Sequence, residues 1–303
     1  MEIKRIRNKI VAPAIFILFL ILVVAYFLLT SIQNEHIIHE QTFVQNHLES
    51  FIESEIQEDA NSFIGLINVI KDDIKIQNIW QNKSREGLYF ASKDWYESFN
   101  RSHRITHFYF HNLDQTNFLR VHTPDRFGDV IDRHTLRQAI ETQQTSFGVE
   151  IGTFGHLVLR IVSPWIIDGE LVGYIELGEE TEHILEKSSA TLDTNIVTLI
   201  NKEDLNNNEW VSRTANLTRN DFWNALPNHV LVDSQRLKSF VSSQHDIYDL
   251  INNGLNPQLE GEITKKQNDY FFTGNFPIID VAGKTVGAYV FFSNISDEIK
   301  HNQ

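Results

Sequence analysis

The chain has 303 residues, 42% of them hydrophobic, with a formal net charge of −14. That length holds about two ordinary domains, and the composition is that of a folding chain. An acidic surface is repelled by phosphates, which excludes nucleic-acid binding, and the absence of cysteine excludes disulfides and thiolate chemistry.

Residues 1–9 form a basic flank, with Lys4, Arg5, Arg7 and Lys9. The twenty residues that follow, Ile10 to Leu29, carry no charge. At 1.5 Å per residue they make about 30 Å of helix, the thickness of a bilayer's hydrocarbon core. A cleavable signal peptide has a shorter apolar run and a small-residue exit, so residues 10–30 read as a membrane span. Positive flanks stay cytoplasmic, which puts the N-terminus inside the cell and the bulk of the chain in the periplasm or outside. Taking the net +3 of residues 1–32 from the total of −14 leaves −17 for the exterior part.

Beyond the span, Ile37, Val44, Leu48, Ile52, Ile56, Phe63, Ile67, Ile70 and Ile74 recur at helical spacing. No proline stands between Pro13 and Pro124 and no glycine precedes Gly65. The expectation is a stalk helix over residues 31–80, continuous with the span and breaking near Gly65 if anywhere. Its apolar stripe fits pairing with a second copy as well as packing against the chain's own modules, so a homodimer stays open.

After Asn100 the pattern alternates. "THFYFHN", "NFLRVHT", "SFGVEIG", "HLVLRIVSPWII" and "ELVGYIELG" read as strands, with "DRHTLRQAIETQ" as a helix among them. Asp168-Gly169 signals a tight hairpin between the last two strands. The same grammar returns after a helical connector, "TEHILEKSSATL": "NIVTLIN", "HVLVDS", "EGEITKK", "DYFFTGNFPIID" and "KTVGAYVFFSN" are strands, "RNDFWNAL" is a helix, and "LKSFVSS" a short helix. "SPWIIDGELVGYIELG" and "FPIIDVAGKTVGAYVFF" repeat one hairpin. The fold class expected is therefore α+β: two tandem modules with antiparallel sheets, at 81–190 and 191–303.

No nucleophile elbow, Walker loop, dinucleotide fingerprint or zincin motif occurs, so no catalytic residue is assigned. Cofactors and metals are expected to be none. His103, His107 and His111 lie in or beside a strand pattern, His36 and His39 on the stalk, and "DLNNNEW" lacks the glycine and glutamate of a calcium loop.

The informative positions are charges within strands. Phe118, Arg120 and His122 share one face of "NFLRVHT" and Leu119 and Val121 the other; Arg160 stands between Val158 and Val162; Tyr174 and Glu176 lie together. The loop "TPDRFGDVIDR" adds Asp125, Arg126, Asp129 and Arg133. Arginine suits a carboxylate held bidentate in a partly dry pocket. Arg120 and Arg160 are thus expected to hold an anionic group, with His122, Arg126 and Tyr174 lining the pocket. The plain alternative is that these arginines pair with Glu150, Glu176 or Asp129 as structural salt bridges.

"HFYFHNLDQTNFLRVHTPDRFGDVIDR", "GVEIGTFGHLVLRIVSPW", "GELVGYIELGEE" and "DFWNALPNHVLVDS" together resemble the extracytoplasmic double Cache sensors, most closely the subgroup of double sensory domains of two-component sensor kinases. The resemblance spans roughly residues 35 to 295. It implies two PAS-like modules on a long N-terminal helix, the first distal to the membrane and holding a small ligand and the second proximal, with output through a histidine kinase, diguanylate cyclase or chemoreceptor; the arginines of the first module point to a ligand of the organic-acid or amino-acid class. After "VFFSNISDEIKHNQ" no second span or output domain follows, so kinase or cyclase activity is not expected of this chain itself. A tethered module that docks a partner signalling protein without a small ligand is the rival reading; a surface hydrolase is the third.

Overall fold

Sixty-one residues of uninterrupted helix, α1 (Ala12–Asp72), open the computed structural model of the protein. The structure describes residues 11–152, 155–208, 210, 222–232, 248–252, 255, 262–266 and 268–301. At 1.5 Å per residue α1 is about 90 Å long. Its Pro13–Ile32 stretch has a mean hydropathy of 2.9 with none of it buried, long and apolar enough to cross a membrane.

The helix does not break at Gly65. That glycine is exposed and faces open space, and its cost of about 1 kcal/mol in a helix is offset by the burial of Phe63 and Ile67 on either side. The break comes eight residues later, at Asp73. Its extended backbone ends α1, and its side chain accepts from the Ile76 amide to cap α2 (Ile74–Gln81). Ile74, which sequence spacing put on the stripe, is accordingly exposed. After a turn through Lys83, Ser84 caps α3 (Arg85–His103). Sequence analysis assigned no helix to that segment.

The first sheet comprises β1 (His107–His111), β2 (Asn117–Arg120), β3 (Ser146–Ile151), β4 (Leu157–Ile167) and β5 (Glu170–Glu180), with α4 (His134–Thr142) between β2 and β3. Its order is β2-β1-β5-β4-β3, antiparallel throughout. Helix α5 (Glu182–Leu192) leads to the second sheet, formed by β6 (Asn195–Asn201), β7 (His229–Leu231), β8 (Glu262–Lys266), β9 (Asp269–Ile279) and β10 (Thr285–Asn294). Its order, β7-β6-β10-β9-β8, is the same arrangement repeated. Of "RNDFWNAL", Phe222–Ala225 is helical (α6), and α7 (Ser296–His301) follows β10. The short helix expected over "LKSFVSS" lies outside the described residues.

One apolar stripe on α1 serves both sheets. Leu48 and Ile52 lie in a core with Phe272, Phe276, Tyr289 and Phe291 of the second. Ala60, Phe63, Ile67 and Ile70 lie in a core with Phe108, Phe110, Leu159, Ile161, Ile175 and Leu177 of the first. The end of α1 is also tied down by polar contacts: Lys71 Nζ donates to Ser163 Oγ, and Trp165 Nε1 donates to the Lys71 carbonyl at 3.3 Å.

The repeated hairpins share strands but not turns. Asp168 and Gly169 both have positive φ (52° and 82°), a two-residue turn between Ile167 and Glu170. The second turn is longer: Asp280 Oδ1 accepts from the amides of Ala282 and Lys284, and Gly283 takes φ 78°. The shared Val-Gly pair has a steric origin. A Cβ at Gly173 would stand 2.6 Å from the His111 carbonyl and 2.7 Å from Trp80, and one at Gly287 would stand 2.0 Å from the Leu199 carbonyl. In each sheet the adjoining strand passes too close for any side chain. Gly173→Ala and Gly287→Ala should each cost about 1–3 kcal/mol, read as a lowered thermal unfolding midpoint of the full chain in detergent; Gly169→Asn meets no neighbour but must hold φ 82°, so it should cost less than either without being neutral.

Candidate functional site

Register fixes what shares the face of the first sheet that points away from α1. Tyr109 pairs Arg120 and Glu176, His111 pairs Tyr174, and His107 and Arg160 both pair Gly178. Directly opposed residues share a face, so Arg120, His107, Tyr109, His111, Tyr174, Glu176 and Arg160 all project to one side. The loop after β2 and helix α4 cover that side. The loop folds back along β2, where the Asn117 amide donates to the Asp129 carbonyl at 2.9 Å and Gly128, at φ 86°, donates to the Asn117 carbonyl at 2.8 Å.

Glu176 is the centre of this layer. It is fully buried, and it accepts from Arg160 Nη1 at 2.6 Å, Arg133 Nη1 at 3.0 Å and His111 Nε2 at 2.9 Å. Burial alone would raise its pKa, but the Arg133 and Arg160 guanidiniums hold it well below the usual range. Glu150 completes the set. Its Oε1 accepts from the amide and hydroxyl of Thr135, in the first turn of α4, and its Oε2 lies 3.5 Å from Arg160 Nε, an ion-pair distance at which no hydrogen bond forms.

Arg120 is bound differently. It forms a two-pronged pair with Asp129, Nη1 to Oδ1 at 2.6 Å and Nη2 to Oδ2 at 2.7 Å, and Nη1 also donates to the Arg126 carbonyl at 2.8 Å. Arg120 is buried, whereas the Asp129 side chain is 44% exposed. The hydrogen bonds from Arg120 hold the Asp129 carboxyl down to about 2.

The five residues expected to line a pocket therefore separate. Arg120 and Arg160 reach the covered face, but each already has an acidic partner of the chain's own, the salt bridges of the plain alternative. Arg126 is exposed and offers the cluster its backbone carbonyl. Tyr174 is buried on the same face, among Ile131, Leu136, Ala139 and Val162, where its hydroxyl accepts from Gln143 Nε2 at 3.5 Å. His122 lies beside Tyr109 and His107, with ring centroids 4.8 and 5.2 Å away, and its Nδ1 accepts from the Phe108 amide. Phe118 departs from the expected face: a register shift between Phe110 and His111 turns it onto Trp80, 4.9 Å ring to ring, with the α1-facing core.

Sequence reasoning passed over Tyr109, His111, Arg133 and Glu150 as site residues. The signal was present in "HFYFH", because in a strand positions i, i+2 and i+4 share a face. His107, Tyr109 and His111 stack in a row at 6.0 and 5.4 Å. Two atoms of the layer are buried without a hydrogen-bond partner, His111 Nδ1 and Arg160 Nε.

Residues 47–299 match the family described as the double sensory domain of two-component sensor kinase. The chain belongs to this family. The double Cache architecture expected from sequence thus holds over most of the chain. Among the described residues no element belongs to a kinase or cyclase domain. Similar solved structures include the sensor domain of the V. cholerae histidine kinase DctB (12% identity, covering 86% of this chain and 98% of that one, TM-score 0.48). Others are the Campylobacter jejuni chemoreceptor Tlp3 ligand-binding domain in complex with L-valine (12%, 89% and 96%, 0.44) and the extracellular domain of a histidine kinase, vpHK1S-Z8 (12%, 88% and 98%, 0.45). No curated protein matches the chain.

Two outcomes follow from the charged layer of this double sensory domain. Glu176→Ala leaves buried cations uncompensated and should cost about 3–5 kcal/mol, measured by chemical unfolding. Burial holds His107 down to about 3 and His122 to about 4, against 6.5 for a free histidine. The unfolded chain thus binds more protons below pH 6.5, so this stability is complete above pH 6.5 and is lost as pH falls toward 4. At pH 5 each histidine should account for on the order of 2 kcal/mol, and the His107→Gln/His122→Gln variant should show a flatter midpoint between pH 7 and 5.

Proposed function

We propose that the chain is a membrane-anchored, extracytoplasmic sensor whose first module binds a small carboxylate-bearing ligand, an organic acid or amino acid. Residues 10–30 are its single span, with the N-terminus cytoplasmic. Residues 81–190, whose sheet packs on the far part of α1, form the membrane-distal module, and residues 191–303, on Leu48 and Ile52, the proximal one. The observation that carries the reading is the covered polar layer of the first sheet, which retains unsatisfied His111 Nδ1 and Arg160 Nε. Buried polar atoms without partners are rare in native proteins and mark sites that take up a further hydrogen-bonding group. Nδ1 offers a lone pair to a hydroxyl or ammonium, and Nε offers a proton to an oxygen.

Ligand capture then works by exchange. The Arg120–Asp129 pair has the geometry of an arginine holding a carboxylate, and Asp129 stands on an exposed loop. A ligand carboxylate displaces Asp129 from Arg120 and frees the loop. Glu176, enclosed on all sides, stays in place and fixes Arg160 and Arg133. Movement of the loop and α4 on one face of the sheet shifts the other face against α1, which continues into the membrane span.

One observation favours the rival reading, a tethered module that docks a partner signalling protein: Arg120, Arg133 and Arg160 all have acidic partners within the chain. Titration calorimetry of the full chain in detergent against organic acids and amino acids separates the two. Under the exchange reading a ligand binds, and Arg120→Ala weakens it at least ~30-fold. Asp129→Asn removes the competitor; a half-exposed pair is worth up to about 1 kcal/mol, so affinity should rise up to about fivefold. Saturable binding that ignores both substitutions removes the site, and an absence of any binder favours the partner-docking reading.

A further inference from the structure

On the α1 side of the first sheet, where β5 gives way to α5, three potential metal ligands meet. Glu179 is the penultimate residue of β5, His183 lies in the first turn of α5, and Asp59 faces them from α1. His183 Nε2 is 3.3 Å from Asp59 Oδ2 and 3.7 Å from Glu179 Oε2. One donor atom from each residue lies within 4.8 Å of the other two.

The bonds of the His183 ring set which nitrogen a cation would meet. His183 Nδ1 is 3.2 Å from the Glu180 carbonyl, which only accepts, so Nδ1 carries a proton. In the neutral ring Nε2 then presents a lone pair toward two carboxylates. Glu179 is 99% buried, and its Oε1 has no hydrogen-bond partner. A cleft of about 400 Å³ at the cluster is lined by Asp59 and His183 with Glu55, Glu58, Arg104 and Glu186, and by Lys187, which donates to both Glu55 carboxylate oxygens.

We propose that Asp59, Glu179 and His183 form a binding site for a divalent transition-metal ion of the Zn²⁺ class, clamping α1 to the junction between the two modules. Zinc bonds to imidazole and carboxylate are about 2.0–2.2 Å, which at tetrahedral angles sets donors about 3.4 Å apart. The 3.3 and 3.7 Å separations bracket that value. The Nδ1–H bond to the Glu180 carbonyl is the orienting contact that metal-binding histidines make. A fourth position faces the cleft. Mixed imidazole and carboxylate donors select Zn²⁺, Co²⁺ or Mn²⁺ over the all-oxygen preference of Ca²⁺ and Mg²⁺. This site is separate from the ligand face and stands or falls without it.

The test uses the full chain in detergent, stripped with chelator and titrated with ZnCl₂, CoCl₂ or MgCl₂ alone. Expected are saturable Zn²⁺ uptake, one ion per chain, with a raised unfolding midpoint, little response to Mg²⁺, and a loss of affinity of at least ~10-fold in Asp59→Asn and in His183→Gln. His156→Ala, which alters a separate His156/Glu180/Glu182 grouping, should bind as the parent does. Because either variant can lose its fold, Co²⁺ on the parent chain gives an independent reading: intense visible bands of a four- or five-coordinate ion, abolished by Zn²⁺, are expected. A weak six-coordinate spectrum, no saturable Zn²⁺ uptake, or uptake unchanged in folded Asp59→Asn and His183→Gln overturns the site.

Discussion

Helix α1 belongs to the cores of both sheets, and the architecture depends on that sharing. Leu48 and Ile52 are buried in one apolar cluster, and Ala60, Phe63, Ile67 and Ile70 in the other. Neither sheet can bury its inner face without this helix, and the helix alone has too narrow a stripe to be stable in water. A rearrangement of the first sheet that changes its fit to Phe63 or Ile67 is therefore felt by a rod that also carries the second sheet and the apolar segment Pro13–Ile32. Close-packed cores shift between discrete arrangements and do not deform smoothly, and α1 contributes buried residues to both.

The outer face of the first sheet answers a different problem, the burial of charge. An isolated carboxylate at Glu176 would cost several kcal/mol in desolvation. Three donors, from β1, β4 and the loop before α4, offset that cost and in doing so join those elements. Glu150 extends the network to the first turn of α4 through Thr135. The Arg120–Asp129 pair differs in its acid: the Asp129 carboxylate is 44% exposed, whereas that of Glu176 is enclosed. Enclosed pairing fixes the centre of the layer, and the two-pronged, half-exposed pair ties the loop to its edge.

Much of this was legible in the residues. Alternation located the strands, Asp168-Gly169 marked a turn, and the repeated "VG" hairpin announced two modules of one topology. Strand periodicity also put Arg120, Arg160, Tyr174 and Glu176 on definable faces. What local patterns lack is register between strands distant in sequence. That Glu176 sits opposite Tyr109, with Arg160 one strand further, emerges only when β1, β4 and β5 are aligned. Phe118 was misplaced because a single bulge inverts the alternation. Asp59, Glu179 and His183 were out of reach because local patterns do not bring together residues as far apart in the chain as Asp59 and Glu179.

The duplication also shows how one scaffold supports two kinds of surface. The clashing glycines, Gly173 and Gly287, align β5 with β10, and three positions on, Glu176 corresponds to Val290. Val290 lies with Val197, Leu199, Leu231 and Phe292 in an apolar cluster on the outer face of the second sheet. The backbone constraint at the glycine is kept while the chemistry three residues away is replaced: a carboxylate with its arginines in one sheet, aliphatic and aromatic groups in the other. Charge on that face is kept to its edge strand, where Lys266 of β8 pairs with Asp249 at 2.6 Å.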